Sequence, residues 1–154
     1  MVNRLLSSLL TDLEETTTLQ LQFAKRGGLL PVAVQESRTG QILMLASVNA
    51  EALSYSLTHR RAAFWSTSRN ELWVKGLTSG DTLRLDAVLV DCDQDALVYQ
   101  VTLEGDGVCH TYGPDGKHRK ACFYRQLNPD TETLDFLPGT SVPTTTSLAY
   151  SNHD

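Results

Sequence analysis

At 154 residues, 41% of them hydrophobic, the chain can bury one respectable core and is expected to form a single domain. A formal charge of −5 is the wrong sign for a nucleic-acid binder, which displaces counterions with clustered Lys and Arg, yet Arg69, Lys75, Arg119 and Lys120 can still form a local site for a small anion. No apolar run approaches the roughly 20 residues of a membrane span, the leucines before residue 11 lack a cleavage site, and three cysteines make a poor disulfide framework, so the expectation is a cytoplasmic protein with reduced thiols.

Leu5, Leu6, Leu9, Leu10 and Leu13 recur at helical spacing behind Asn3, a candidate N-cap, and predict a short amphipathic helix in an extension over 1–20. Its apolar stripe suits packing or contact with a second chain. Further on, Pro31-Val32-Ala33-Val34 and Ile42-Leu43-Met44-Leu45 flank the polar Glu36-Ser37-Arg38-Thr39-Gly40, a hairpin pattern. Asn49 then caps a segment in which Ala50, Leu53 and Leu57 share a face, and His59-Arg60-Arg61 place positive charge at the negative end of the helix dipole. Ala63-Phe64-Trp65 and Leu72-Trp73-Val74-Lys75, separated by polar residues, predict two strands and a turn.

Leu83, Leu85, Ala87 and Leu89 alternate, as do Leu97, Tyr99, Val101 and Leu103, which predicts two more strands. Between them stands Asp91-Cys92-Asp93-Gln94-Asp95. In an unbroken strand the three aspartates would share the face of Leu85 and Leu89, at a cost on the order of several kcal/mol for each uncompensated ion. A turn or a cation removes that cost, so a solvated acidic loop and a metal-binding turn both fit. Carboxylates suit Mg²⁺, Mn²⁺ or Ca²⁺, whereas thiolate selects zinc. An EF-hand is excluded, because Ala96 stands where Gly is required and Thr102 where a bidentate Glu is. Cys92, Cys109 and Cys122 are either three thiols packed as small hydrophobes or the ligands of a tetrahedral zinc site with its fourth position open to water. Among the histidines, His110 adjoins Cys109, while His59, His118 and His153 read as surface residues, although His118 lies close to Cys122 in the chain. The Thr- and Ser-rich stretch over 140–154 ends a tail, taken as 128–154, that is expected to be partly mobile.

Several motifs agree in order with one family. Leu29-Leu30-Pro31-Val32-Ala33-Val34-Gln35, Thr39-Gly40-Gln41-Ile42-Leu43-Met44-Leu45-Ala46, Phe64-Trp65-Ser66-Thr67-Ser68-Arg69, Leu72-Trp73-Val74-Lys75-Gly76 and Thr78-Ser79-Gly80, followed by the aspartate segment and Cys109-His110-Thr111, closely resemble phosphoribosyl-AMP cyclohydrolase over 21–125. The resemblance implies a mainly β, small α+β domain over 21–127, a folded open sheet of pseudobarrel type with one or two short helices, paired as a homodimer. It implies Zn²⁺ on Cys92, Cys109 and Cys122 drawn from both chains, and Mg²⁺ on Asp91, Asp93 and Asp95. The 29 residues after Arg125 are too few for the pyrophosphohydrolase to which this enzyme is sometimes fused, so the unfused form is expected.

The implied substrate is 1-(5-phosphoribosyl)-AMP, whose N1-alkylated purine makes C6 electrophilic. Hydrolysis of the N1–C6 bond gives the formimino-carboxamide ribonucleotide of histidine biosynthesis. Zinc would activate the water, with His110 as base or as proton donor to the departing nitrogen. Ser66, Ser68, Arg69, Lys75, Ser79 and Gly80 offer groups for the two phosphates, and Trp65 and Trp73 offer rings for the purine, although turn and core residues look the same in sequence. The chain departs from the family's Cys-His-Thr-Gly-x-x-Ser-Cys spacing: Tyr112-Gly113-Pro114-Asp115-Gly116-Lys117 is additional and Ala121 replaces Ser. Pro114 and Gly116 predict a turn that returns the chain to the metal, at a closure cost of about 0.6 kcal/mol or less. A zinc nucleobase deaminase is excluded, since His-x-Glu and Pro-Cys-x-x-Cys are missing. The alternatives are a specialised paralogue with altered metal use and a noncatalytic domain in which zinc closes a fully protein-ligated site.

Overall fold

The computed structural model describes residues 12–143. Residues 12–15 are helical, while the rest of the expected leucine helix, the end of the tail and His153 lie outside the described residues. A short 3-10 turn, Phe23–Arg26, ends at Gly27 with φ of +66° and carries Lys25 and Arg26.

The strands are β1 (Leu30–Glu36), β2 (Ile42–Val48), β3 (Ala63–Ser66), β4 (Glu71–Val74), β5 (Leu83–Val90), β6 (Leu97–Leu103), β7 (Arg125–Asn128) and β8 (Thr133–Phe136), with helix α1 (Ala50–His59) after β2. Four of them form an open sheet in the order β2-β1-β6-β5, and β3-β4 and β7-β8 are separate hairpins. The fold is therefore mainly β, with open sheets and no closed barrel among the described residues. Strands β1 and β6 run parallel and the other neighbours antiparallel. No described helix is long and apolar enough to cross a membrane.

The period-2 pattern builds the core. Leu30, Val32 and Val34 of β1 and Leu97, Tyr99 and Val101 of β6 point to one buried face, against Leu53 of α1 and Phe64 of β3. Asn49 starts α1 as expected: its Oδ1 accepts the Ala52 N–H at 2.9 Å, a cap that contributes about 1 kcal/mol. Ser56 ties the layers together, donating to Ala52 O at 2.9 Å and accepting from Ala63 N at 2.9 Å and from the Tyr99 hydroxyl at 3.3 Å. Burial of that hydroxyl pushes its pKa up to about 12. Phe64 lies between Trp73 and Tyr99, with ring centroids 5.6 and 5.7 Å away.

The alternation expected along β5 breaks. A register shift between Leu85 and Ala87 leaves Leu83 and Leu85 buried but Leu89 48% exposed, so the aspartates that follow do not inherit a core-facing side. Asp86, at the irregularity, accepts from Ser37 and Thr102 hydroxyls at 2.6 Å each. The second unexpected element is the β7-β8 hairpin, which straddles residue 128. Leu137 N and the Thr140 hydroxyl both donate to Tyr124 O at 3.0 Å, fastening the chain as far as residue 140.

Candidate metal and substrate site

Two donor groups form at separate places. The first begins where 108–111 runs beside 119–120: Val108 N donates to Lys120 O at 3.2 Å, Cys109 N to Arg119 O at 3.1 Å, and Arg119 N to Thr111 O at 2.9 Å. Gly107 permits this approach, since a Cβ there would strike the Arg119 carbonyl. The additional residues turn back locally, as expected, through Gly113 N to Lys117 O at 2.8 Å and Gly116 at φ of +75°. Cys122 is then pinned by its N–H to Leu43 O at 2.7 Å.

The result is a pair of interacting thiols. Cys109 is buried and its sulfur lies 2.9 Å from the Thr111 hydroxyl. Cys122 is exposed as a residue, yet protein crowded about its sulfur, and then Cys109 beside it, push its thiol up to about 11. A cation beside the Cys122 sulfur would favour its thiolate. Lys75 supplies part of that charge. Burial pulls its ammonium below the ordinary lysine value, and Asp81, Cys122 and Cys109 oppose that pull.

Asp81 is a site residue that sequence reasoning missed. Its carboxylate is buried, accepts from Asp106 N at 3.0 Å, and stands 3.8 Å from His118 Nε2. Gly76 and Gly105 press against it so closely that a Cβ on either would collide with Asp81 atoms. His118, expected at the surface, is instead 24% exposed, stacks on Tyr112 at 4.5 Å, and buries Nδ1 without a hydrogen-bond partner. The available signal was weak: an acidic residue directly after Thr78-Ser79-Gly80, and a histidine directly after the additional segment. His110 is exposed next to Cys109 and forms no hydrogen bond with either thiol.

The second donor group is a turn that starts where β5 ends. Asp91 Oδ1 accepts from Asp95 N at 2.9 Å and Ala96 N at 3.1 Å, and Gln94 adopts φ of +57° to close the loop. The ligand oxygens of Asp91, Asp93 and Asp95 lie within 4.8 Å of one another, the only three candidate ligands so gathered among the described residues. Lys25 Nζ reaches Asp93 at 3.0 Å and Asp95 at 2.7 Å, and Arg26 reaches Asp95 at 3.2 Å. The Lys25 hydrogen bond, foremost, holds Asp95 at about 2. Gln94 is buried and accepts from Gln20 N at 2.6 Å, which straps the preceding segment over the turn.

Cys92 sits exposed on this turn and does not join Cys109 and Cys122 within one chain. The oxygens fit a hard divalent cation, with Lys25 as the group it would displace. The thiol pair fits a soft cation but offers two donors where tetrahedral zinc needs three or four.

The expected phosphate groups are divided. Ser66 Oγ accepts from Arg69 N at 3.3 Å and lies 3.4 Å from Ser68 Oγ, while Arg69 Nε also lies 3.3 Å from Glu71, so this exposed turn is partly self-satisfied. Ser79 Oγ accepts from Asp81 N at 3.3 Å, and the Gly80 amide is engaged by Gly76 O at 2.8 Å instead of being presented to a ligand. Lys75 belongs with the thiols, and Arg119 and Lys120 bond to Thr140 O and Glu36. Trp73 is half-buried against Phe64, with Lys75 Nζ 5.9 Å from its ring, and Trp65 is half-buried opposite Leu72.

The family model for phosphoribosyl-AMP cyclohydrolase matches residues 44–124, from β2 through both thiols and the aspartate turn. The phosphoribosyl-AMP cyclohydrolase of Hyphomonas neptunium is 46% identical over 114 residues, covering 74% of this chain and 81% of its own. That of Streptococcus mutans is 45% identical over 115 residues, 74% of this chain and 99% of its own. The histidine biosynthesis bifunctional protein HisIE of Thermus thermophilus is 46% identical over 112 residues, 73% of this chain but 49% of that longer protein. With half of its length matched by the family model and close relatives spanned nearly end to end, the chain belongs to the phosphoribosyl-AMP cyclohydrolase family.

Proposed function

We propose that this chain hydrolyses the N1–C6 bond of 1-(5-phosphoribosyl)-AMP, the ring-opening step of histidine biosynthesis, in the reducing cytoplasm. The observation that carries the reading is the convergence of Cys109 and Cys122 with Lys75 and Asp81 in a chain of this family. Zn²⁺ would be held by that thiol pair together with Cys92 of a second copy, and when bound would lower the pKa of water toward neutrality. Exposed Cys92 supports a shared site, as do Ile42 and Leu45 on edge strand β2 and Leu89 and Val90 on edge strand β5, all exposed and apolar. A second copy covering those strands would complete the pseudobarrel-like dimer.

The chain's own groups divide the remaining work. The ammonium of Lys75 offsets negative charge on the sulfurs, and Thr111 donates to Cys109. His110, exposed and next to Cys109 in the chain, would take a proton from the attacking water and return it to N1. The oxygen of water bonds to C6, one of its protons passes to N1 as the N1–C6 bond breaks, and the other leaves the C6 hydroxyl for the exocyclic nitrogen, so that C6 becomes a carboxamide carbon. Asp91, Asp93 and Asp95 would hold Mg²⁺ in place of Lys25. Trp65 and Trp73 would border the purine, and Ser66, Ser68, Arg69 and Ser79 would meet phosphate at the exposed turns.

Mixing variants tests the shared site. Cys92→Ser and Cys109→Ser chains should each be inactive, but refolded together they should recover about a quarter of wild-type ring opening, because half of randomly paired dimers carry one intact site of two. Absorbance of the N1-alkylated substrate reports the turnover. No recovery despite proven heterodimers would remove the shared site. A wild-type protein that binds zinc stoichiometrically and leaves the substrate untouched would point instead to the noncatalytic alternative.

A further inference from the structure

Between the excursion at 112–118 and the segment after Cys122 lies a cavity of about 360 Å³. It shares no lining residue with the thiol pair, although Ala121 and Phe123 on its wall flank Cys122 directly. Its character is cationic in a chain whose formal charge is −5. Arg119 is held in a fixed plane, with its guanidinium 4.2 Å over the Tyr124 ring and its Nε and Nη2 donating to Thr140 O at 3.0 and 2.9 Å. A guanidinium has five N–H donors in a rigid fork, and this contact takes two of them.

Lys117 stands opposite, 62% exposed and 3.9 Å from Asp106, beyond hydrogen-bond length. Lys120 spends one ammonium hydrogen on Glu36 at 2.6 Å. The lining itself carries Lys117, Arg119 and Lys120 against Asp106 and Asp115, with Glu36 behind Lys120, and Asp115 already accepts from Lys117 N at 3.0 Å. A planar guanidinium with spare N–H donors, the ammonium groups of Lys117 and Lys120, and a neighbouring aromatic wall match a phosphate ester carried on a sugar.

We infer that this cavity binds a phosphate monoester group. The chemistry is shared by a 5′-phosphate of the substrate proposed above and by a separate phosphorylated ligand, and only the choice between these sources rests on that functional reading.

Inorganic phosphate titrated into the zinc-loaded full chain, at ionic strength held constant with KCl, should give saturable NMR shifts on amides within 113–121. Binding should weaken roughly fivefold in Lys117→Ala, the size of one lost charge-assisted contact, and stay unchanged in Arg84→Ala, which removes an exposed charge on β5 away from the cavity. Shifts confined to other residues, or the same affinity in Lys117→Ala, overturn the inference. Kinetics then identify the source. With wild type active, a KM raised about fivefold in Lys117→Ala at constant kcat assigns the cavity to the substrate's phosphate. An unchanged KM beside weakened phosphate binding assigns it to a separate ligand. The NMR arm needs no turnover, so failure of the ring-opening reading would leave it standing.

Discussion

The aspartate turn finds two positive partners for its three carboxylates within one chain, and the thiol pair finds no third sulfur there. At the turn, Lys25 and Arg26 already sit on the carboxylates at 2.7 to 3.2 Å, and Asp91 closes the loop through its own backbone contacts. At the thiols, two sulfurs lie together in protein surroundings with a single half-buried lysine, and burial, with Cys109 beside it, raises the Cys122 thiol. A divalent ion at the turn therefore exchanges one positive partner for another, whereas a soft cation at the thiols replaces protons and still needs a ligand from elsewhere. On the proposed reading the two metals would have unequal roles: optional to the fold at the turn, defining for the chemistry at the sulfurs.

The largest break in that comparison should come from Cys109→Ser or Cys122→Ser. Loss of an orienting partner around a metal already costs about 10- to 100-fold, so loss of a ligand itself should exceed ~100-fold in turnover and strip zinc from the purified protein. Metal quantitation beside the absorbance assay checks both, and a metal-verified variant with ordinary activity would end the zinc reading. Gly76→Ala should act next, through the cradle instead of the ligands. The added methyl meets the Asp81 carbonyl at a backbone φ of +81°, and about 3 kcal/mol of stability should disappear, read from the urea midpoint. Gly116→Ala, at φ of +75° with open space around it, should cost only about 1 kcal/mol, which separates collision from backbone strain.

On the other side of the comparison, Asp93→Asn should weaken Mg²⁺ dependence by roughly tenfold while leaving zinc stoichiometry intact. Loss of zinc in that variant would mean that the two donor groups are not independent.

Legibility in the sequence followed the range of the interactions. Local signals were plain: the hairpin of β1 and β2, the Asn49 cap, the β3-β4 turn and the clustered donors all rest on residues near one another in the chain. What escaped depends on distant partners. Lys25 and Arg26 reach across 70 and 69 residues to Asp95, and nothing in the run Phe23-Ala24-Lys25-Arg26 announces it. Asp81 and His118 meet only because Gly76 and Gly105 let two loops close on one carboxylate. The bulge at Asp86 hid in an otherwise regular alternation. The β7-β8 hairpin had a period-2 hint in Leu127, Leu134 and Phe136, but no buried face to reinforce it, since all three are about half exposed or more.

The smallest expected effect sharpens the comparison from the turn's side. Asp95 is held at about 2, below its ordinary 3.8, chiefly by the Lys25 hydrogen bond. A carboxyl depressed in the folded state contributes stability that is fully present above its unfolded value and is lost as pH falls through the folded one. The wild-type urea midpoint should therefore fall more steeply between about pH 4 and pH 2 than that of Lys25→Ala, which has already lost the contact at every pH. Lys25 offers the reciprocal check: Asp95 and then Asp93 raise its ammonium above 10.5, so its share of stability persists below that value and is lost as pH rises through the raised one. If the two proteins titrate in parallel at both ends, the lysine does not hold the turn in solution, and the contrast between a largely compensated oxygen site and an incomplete sulfur site loses its footing.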